Sequence, residues 1–187
     1  MNKKKFLITG GAGFIGSAVV RHLIHDLKHE AIVLDKLTYA GSLKSLDRVK
    51  DDKNFFFEKA DICNPKDVDR ILKIYSPDIV MNLAAETHVD RSIDDPTSFV
   101  KTNINGTFVL LNKVLRYWNK LSKTKKKIFK FHQVSTDEVY GDLKGTSNLS
   151  NEDATYKPNS PYSASKAGVD YLVRAWYKTY GLPIVIT

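Results

Sequence analysis

Lys5-Phe6-Leu7-Ile8-Thr9-Gly10-Gly11-Ala12-Gly13-Phe14-Ile15-Gly16 decides how this chain folds. The first five residues form a short apolar run that reads as a buried strand. Three glycines spaced Gly-x-x-Gly-x-x-Gly then turn it into a helix that should run to about Leu27. The physics asks for glycine three times: at a tight turn, at a close approach of backbone to pyrophosphate, and where helix meets strand. Free N–H groups and the positive end of that helix would hold the phosphates. A glycine-rich turn alone is weak evidence, but one that follows a strand and opens a helix has the required context.

Working outward, Ala31-Ile32-Val33-Leu34 is a second strand ending in Asp35, nineteen residues beyond Gly16. A carboxylate there accepts hydrogen bonds from a ribose 2′-hydroxyl and repels a 2′-phosphate, which argues for NAD over NADP. Lys36 beside it weakens that discrimination. Phe55-Phe56-Phe57-Glu58 is a third strand leading to Asp61-Ile62, where Asp61 suits contact with an adenine ring. Asn64-Pro65 then opens a helix. Ile79 to Leu83 is a fourth strand, followed by Ala84-Ala85-Glu86-Thr87-His88, small residues first so that a cofactor can lie against the backbone. His88 reads equally as a substrate contact or a capping residue. Phe129 to Val134 and Leu182 to Thr187 supply a fifth and a sixth strand. This alternation predicts an α/β fold, a doubly wound parallel sheet of Rossmann type with helices on both faces, occupying residues 1–187 as one domain.

Two clusters carry the chemistry. Ser135-Thr136-Asp137-Glu138-Val139-Tyr140-Gly141 places a hydroxyl and two adjacent carboxyl groups at the exit of the fifth strand, the edge where open parallel sheets bind ligands. Twenty-one residues after Gly141, Tyr162-Ser163-Ala164-Ser165-Lys166 puts a Tyr and a Lys four apart on one helix face. Together they describe a proton-handling site. The acidic pair by itself would more often be a turn or an N-cap, and Tyr-x-x-x-Lys recurs by chance in many helices. The twenty-residue connection Asp142 to Pro161 between them is long enough that function is its usual explanation.

Composition bounds the remainder. A chain of 187 residues, 42% hydrophobic and 27% charged, is ordinary for a soluble globular protein. A single cysteine, Cys63, excludes an internal disulfide, suits a cytoplasmic location, and reads as a small buried hydrophobe. His22, His25 and His29 recur on a predicted helix, but no cysteine or fixed carboxylate completes a metal set, so no metal is expected. The net charge of +8 includes a dense patch at Lys123, Lys125, Lys126 and Lys127, read as a solvated helix-to-strand loop. No nucleic-acid motif and no membrane-spanning run is present, so the charge favours small anions such as nucleotides. Pro96 to Leu121 reads as one long helix with two apolar stripes. Ile104, Phe108, Leu111, Leu115 and Trp118 form one; Val100, Leu110, Val114, Tyr117 and Leu121 form the other. One stripe can pack on the sheet; the second needs cover from a partner subunit or another helix.

Gly10 to Gly16, Asp35 to Gly41, Leu83 to Arg91, Ser135 to Gly141 and Ser160 to Lys166 resemble the dTDP-glucose 4,6-dehydratase family, extended short-chain dehydrogenase/reductases that act on nucleotide sugars. The resemblance implies NAD as cofactor, held by Gly10, Gly13, Phe14, Ile15, Gly16, Asp35, Lys36, Leu37, Thr38, Asp61, Ile62, Leu83, Ala84, Ala85, Thr102, Tyr162 and Lys166. It implies dTDP-glucose or a related nucleotide sugar as substrate, contacted by Thr87, His88, Thr136, Asp137 and Glu138. In the implied reaction Tyr162, lowered in pKa by Lys166 and by the nicotinamide's positive charge, takes the 4-hydroxyl proton and hydride leaves C4 for NAD. Glu138 then removes the C5 proton, Asp137 protonates the departing 6-hydroxyl, and hydride returns to C6, with Thr136 orienting the sugar. A homodimer through the helix 96–121 and the helix of Tyr162 is also implied. Related epimerases carry small residues in place of Asp137 and Glu138. The family continues past the last strand into a second lobe, which suggests a fragment or truncated gene product here. Many members also have His where Asn82 stands. The alternatives are another sugar-nucleotide epimerase or decarboxylase, or an NAD-binding domain without turnover.

Overall fold

The computed structural model describes residues 3–142 and 149–187. Its centre is β1 (Lys5–Thr9), flanked by β2 (Glu30–Asp35) and β4 (Ile79–Asn82), with β3 (Phe55–Lys59), β5 (Lys130–Gln133) and β6 (Ile184–Ile186) outside them. The six strands run parallel in the order β3-β2-β1-β4-β5-β6. The chain therefore winds outward on one side of β1 and then returns to wind outward on the other. Such a reversal opens a crevice at the carboxyl ends of the central strands.

Parallel strands covered on both faces must be apolar on both faces, which accounts for the continuous run Phe6-Leu7-Ile8. Leu7 packs with Ile32, Val80 and Phe131 against α2 (Pro65–Tyr75), α5 (Thr107–Asn119) and α7 (Pro161–Tyr180). Ile8 and Val33 face the other way, onto Val20, Leu23 and Ile24 of α1 (Phe14–His25). Local chemistry sets the helix ends. Asn64 caps α2 by accepting from the Lys66 N–H, ahead of Pro65. Ser160 and Ser163 form a reciprocal capping box at the start of α7, and Gly181, at φ +71°, ends it.

Four expectations need correction. The long helix from Pro96 is broken: α4 (Pro96–Phe99) passes into a π-helical segment, Val100–Gly106, before α5 begins, and α3 (Val89–Asp94) precedes it. Asn103 explains the break, because its side chain bonds outside its own helix, donating to the Glu86 carbonyl and the Ser165 hydroxyl. The two apolar stripes consequently do not separate cleanly. Leu110, Leu111 and Val114 are all fully buried, while Val100 and Phe108 are 51% and 43% exposed. The lysine patch is not a loop; Ser122 caps a short helix, α6 (Lys123–Ile128). His29 lies beyond α1, buried, with its ring stacked on Phe6 at 5.3 Å, whereas His22 pairs with Asp26. Cys63 is only half-buried, its thiol directed at the Lys101 carbonyl and pushed up to about 11 by burial. Of the connection Asp142 to Pro161, residues 143–148 lie outside the described residues. Among the described residues, no helix is long and apolar enough to cross a membrane.

Phe131 on β5 is completely buried where the sheet meets α5 and α7. Phe131→Ala should cost about 3–5 kcal/mol in denaturant unfolding, because it removes apolar contact and leaves a cavity between layers.

Candidate active site

Backbone proximity makes the floor of the crevice. Gly10 has φ +69°, and a Cβ there would lie 2.7 Å from the Ala84 nitrogen. At Gly16 a Cβ would sit 2.2 Å from the Gly10 carbonyl oxygen. Only glycine lets β1, α1 and the chain after β4 meet this closely. The result is a cavity of about 380 Å³ at the carboxyl ends of β1, β2, β4 and β5. Phe14 and Ile15, 92% and 60% exposed at the start of α1, stand at its rim.

Asp35 ends β2 in the cavity wall. Its carboxylate accepts from the Ala12 N–H at 3.0 Å and the Leu37 N–H at 2.8 Å. A carboxylate has about four lone-pair sites, so acceptor capacity remains for a ligand hydroxyl. Lys36 donates to Thr102 at 3.2 Å and pairs with Glu86 at 3.6 Å, which draws its charge away from Asp35.

A buried polar network supports the walls. Thr9 donates to Asn82 at 2.6 Å, and Asn82 donates to Thr107 at 3.1 Å and Gln133 at 2.8 Å. Asn82 thus has partners at both ends of its amide, so its departure from the histidine common in related sequences leaves no polar group bare here. The Thr9 hydroxyl also accepts from the Ala84 N–H, which fixes the small residues lining the cavity. Asn103 secures the next turn, accepting from the Glu86 N–H at 2.8 Å.

The two clusters singled out in the sequence converge at one end of the cavity. Tyr162 is 8% exposed, with its N–H donated to Ser92 at 3.2 Å and its ring edge-on to Phe99. Its phenol meets the Thr136 side chain and feels the charges of Glu138 and Asp137. Thr136 caps a short 3-10 turn, Asp137–Tyr140, accepting from the Glu138 N–H, and this turn leaves both carboxylates exposed beside the phenol. Burial pushes the phenol above its ordinary value; Thr136 opposes the shift, and the two carboxylates add to it. Lys166, 5% exposed, donates to the Val134 carbonyl at 2.5 Å. Burial lowers its pKa to about 8, opposed by Asp170. The ammonium therefore does not by itself bring the phenol below its usual value.

Gly10, Gly13, Phe14, Ile15, Gly16, Asp35, Lys36, Thr38, Asp61, Ile62, Leu83, Ala84, Ala85, Thr102, Tyr162 and Lys166 all line the cavity, as does Thr87. Leu37 does not; it takes φ +58° and packs into the core beneath α1, serving Asp35 through its backbone. Thr136, Asp137 and Glu138 sit outside the cavity proper, at the Tyr162 end. His88 occupies the N-cap position of α3, makes no side-chain cap bond and does not line the cavity. Ser135, Val134 and Gly41, which lie in the stretches quoted from the sequence without a role of their own, also line the cavity. Sequence reasoning missed Asn103, whose signal was an amide in the middle of an apolar helical pattern.

A family model described as GDP-mannose 4,6 dehydratase matches residues 7–187. The chain belongs to this family. It is 55% identical to the dTDP-glucose 4,6-dehydratase of Neisseria meningitidis serogroup B, over 98% of this chain and 52% of that protein. Identity to dTDP-glucose 4,6-dehydratase 1 of Escherichia coli (strain K12) is 53%, over 98% and 53%. The chain thus spans about half the length of the curated relatives it matches. Among solved structures, the dTDP-glucose 4,6-dehydratase of Streptomyces venezuelae with NAD and TYD bound superposes with a TM-score of 0.87 at 41% identity, over 97% of this chain and 54% of that one. The UDP-glucose 4-epimerase of Thermus thermophilus, in complex with NAD, gives 0.84 at 30% identity, over 97% and 53%. Since a dehydratase and an epimerase both superpose, backbone shape alone does not select the reaction.

Lys166 is a buried cation whose folded pKa, about 8, is below that of an unfolded lysine. The unfolded chain binds the extra proton between those values, so this group opposes folding most at low pH. Lys166→Met should therefore raise stability in denaturant titrations by an amount largest below pH about 8 and fading toward the ordinary lysine range.

Proposed function

We propose that residues 1–187 form the NAD-binding domain of a dTDP-glucose 4,6-dehydratase and carry its reacting groups. The observation that supports this reading is the convergence of a phenol, a hydroxyl and two carboxylates at one end of a cavity floored by glycine backbone. The residues fit a dinucleotide: free N–H groups begin α1, Asp35 keeps acceptor capacity for a ribose, and Ala84 and Ala85 leave the wall low. When bound, NAD would take up hydride from C4 of the sugar, return it at C6, and lend positive charge near Tyr162.

Each residue then has one proton to handle. Tyr162 as phenolate takes the proton of the 4-hydroxyl, with Thr136 orienting that hydroxyl and Lys166 supplying positive charge nearby. The resulting ketone acidifies C5–H, and Glu138 removes that proton. Asp137 protonates the departing 6-hydroxyl, which leaves as water. Elimination needs an acid and a base together, and two adjacent carboxyl groups supply both. Epimerases need neither group. The free thiol of Cys63 favours a reducing, cytosolic setting for the enzyme.

Asp137→Asn and Glu138→Gln separate the chemistries. Each should lower formation of dTDP-4-keto-6-deoxyglucose by about 10²–10⁴-fold while C4 oxidation, read as absorbance of reduced cofactor, persists. An unchanged product rate would remove these residues from the mechanism, and saturable NAD binding by the unaltered chain with no keto sugar would favour a domain without turnover.

The same reading includes a homodimer through α5 and α7. Supporting it are the half-exposed Phe108 on α5, in edge contact with Trp176 at 5.9 Å, and the exposed Tyr171 and Tyr180 on α7. Phe108→Lys should shift sedimentation from dimer to monomer with little loss of far-ultraviolet helical signal. A variant still dimeric at micromolar concentration would place the interface elsewhere.

A further inference from the structure

Asp170 lies one helical turn beyond Lys166 on α7 and is 1% exposed. Its Oδ2 accepts two hydrogen bonds, from the Ser135 hydroxyl at 2.5 Å and the Tyr156 hydroxyl at 3.0 Å. Its Oδ1 is buried and has no hydrogen-bond partner among the described residues. A carboxylate oxygen so placed costs free energy unless its charge is compensated. Among the described residues, the groups that hydrogen-bond this part of α7 from other elements are neutral, whereas the carboxylates of Asp137 and Glu138 act on Tyr162 from the turn after β5. Asn103 bonds Ser165, Ser92 accepts from the Tyr162 N–H, Ser135 comes from the end of β5, and Tyr156 comes from the connection before α7. The charged side chain that acts on Asp170 is Lys166, and Asp170 is the one that acts on Lys166. Their coupling is at a distance, because the ammonium donates to the Val134 carbonyl and not to the carboxylate.

We propose that Asp170 is a positioning residue of the site, the buried counter-charge that keeps Lys166 an ammonium beside Tyr162. This rests on reading Tyr162 and Lys166 as the working pair. The physical need is plain, since an ammonium placed against apolar surroundings loses its proton unless a negative charge is near. Ser135 and Tyr156 serve the same end. Burial pushes the Asp170 carboxyl up, and by donating to one oxygen Ser135 and Tyr156 favour its charged form and oppose that shift in part. Tyr156 is itself held between the rings of Tyr140 and Tyr171, so the donor is fixed.

The test follows both groups by NMR in the isotopically labelled chain. The side-chain nitrogen of Lys166 is titrated with pH, its signal identified by its loss in Lys166→Met. Asp170→Asn keeps the shape and can still accept from both hydroxyls, but it carries no charge. The Lys166 midpoint, near 8 in the unaltered chain, should fall by about one pH unit in this variant. A midpoint that stays where it was overturns the proposal. Coupling is reciprocal, so Lys166→Met should raise the midpoint of the Asp170 carboxyl carbon, and this arm needs no folded Asp170→Asn. An unmoved carboxyl midpoint overturns the proposal equally. Neither readout requires turnover. A chain that showed both shifts but bound no NAD saturably would sink the dehydratase reading and leave the role of Asp170 standing.

Discussion

The fold depends on one close approach. Where β1 turns into α1, the Gly10 carbonyl lies so near the Cα of Gly16 that no side chain fits between them, and the chain after β4 comes equally near Gly10. This contact fixes the angle at which α1 leaves the sheet. That angle in turn sets the direction of its free N–H groups and the depth of the cavity. Side-chain packing below it is strong but more forgiving, since a core of Leu, Ile, Val and Phe can adjust to a changed methyl group in ways a backbone contact cannot.

Above this floor, the site is held by buried polar groups that satisfy one another. Thr9, Asn82, Thr107 and Gln133 link β1, β4, β5 and α5 across the sheet, and Asn103 joins the chain after β4 to α7. Such networks specify one arrangement because a partly bonded alternative would strand a donor or acceptor in the interior. They hold rigid the walls against which a ligand lies. The carboxylates of Asp137 and Glu138 stand instead exposed on a short turn held by Thr136, by the buried Val139 and by the Lys157 N–H donated to the Val139 carbonyl. Tyr162 and Lys166, by contrast, are buried.

The electrostatics of α7 run against first expectation. Tyr four residues before Lys suggests that the cation lowers the phenol, yet burial moves the phenol up and the lysine down. Desolvation wins because both side chains are withdrawn from water and the lysine gives its hydrogen bond to a backbone carbonyl. The balance then rests with charges brought by a ligand and by Asp170.

Sequence by itself determined the sheet, the order of its elements and most of the cavity wall. The glycine spacing, the strand-final Asp35 and the small residues after Leu83 are local demands of backbone geometry, and such demands are written residue by residue. Tertiary structure alone decided the rest. The π-helical break at Val100–Gly106 comes from Asn103 reaching a helix more than sixty residues away in the chain, which no local propensity encodes. Ser135 and Asp170, thirty-five positions apart, become partners only once β5 and α7 pack. Proton affinities at Tyr162 and Lys166 could not be read beforehand for the same reason: they depend on how much water the folded chain excludes, a property of the whole packing rather than of any motif.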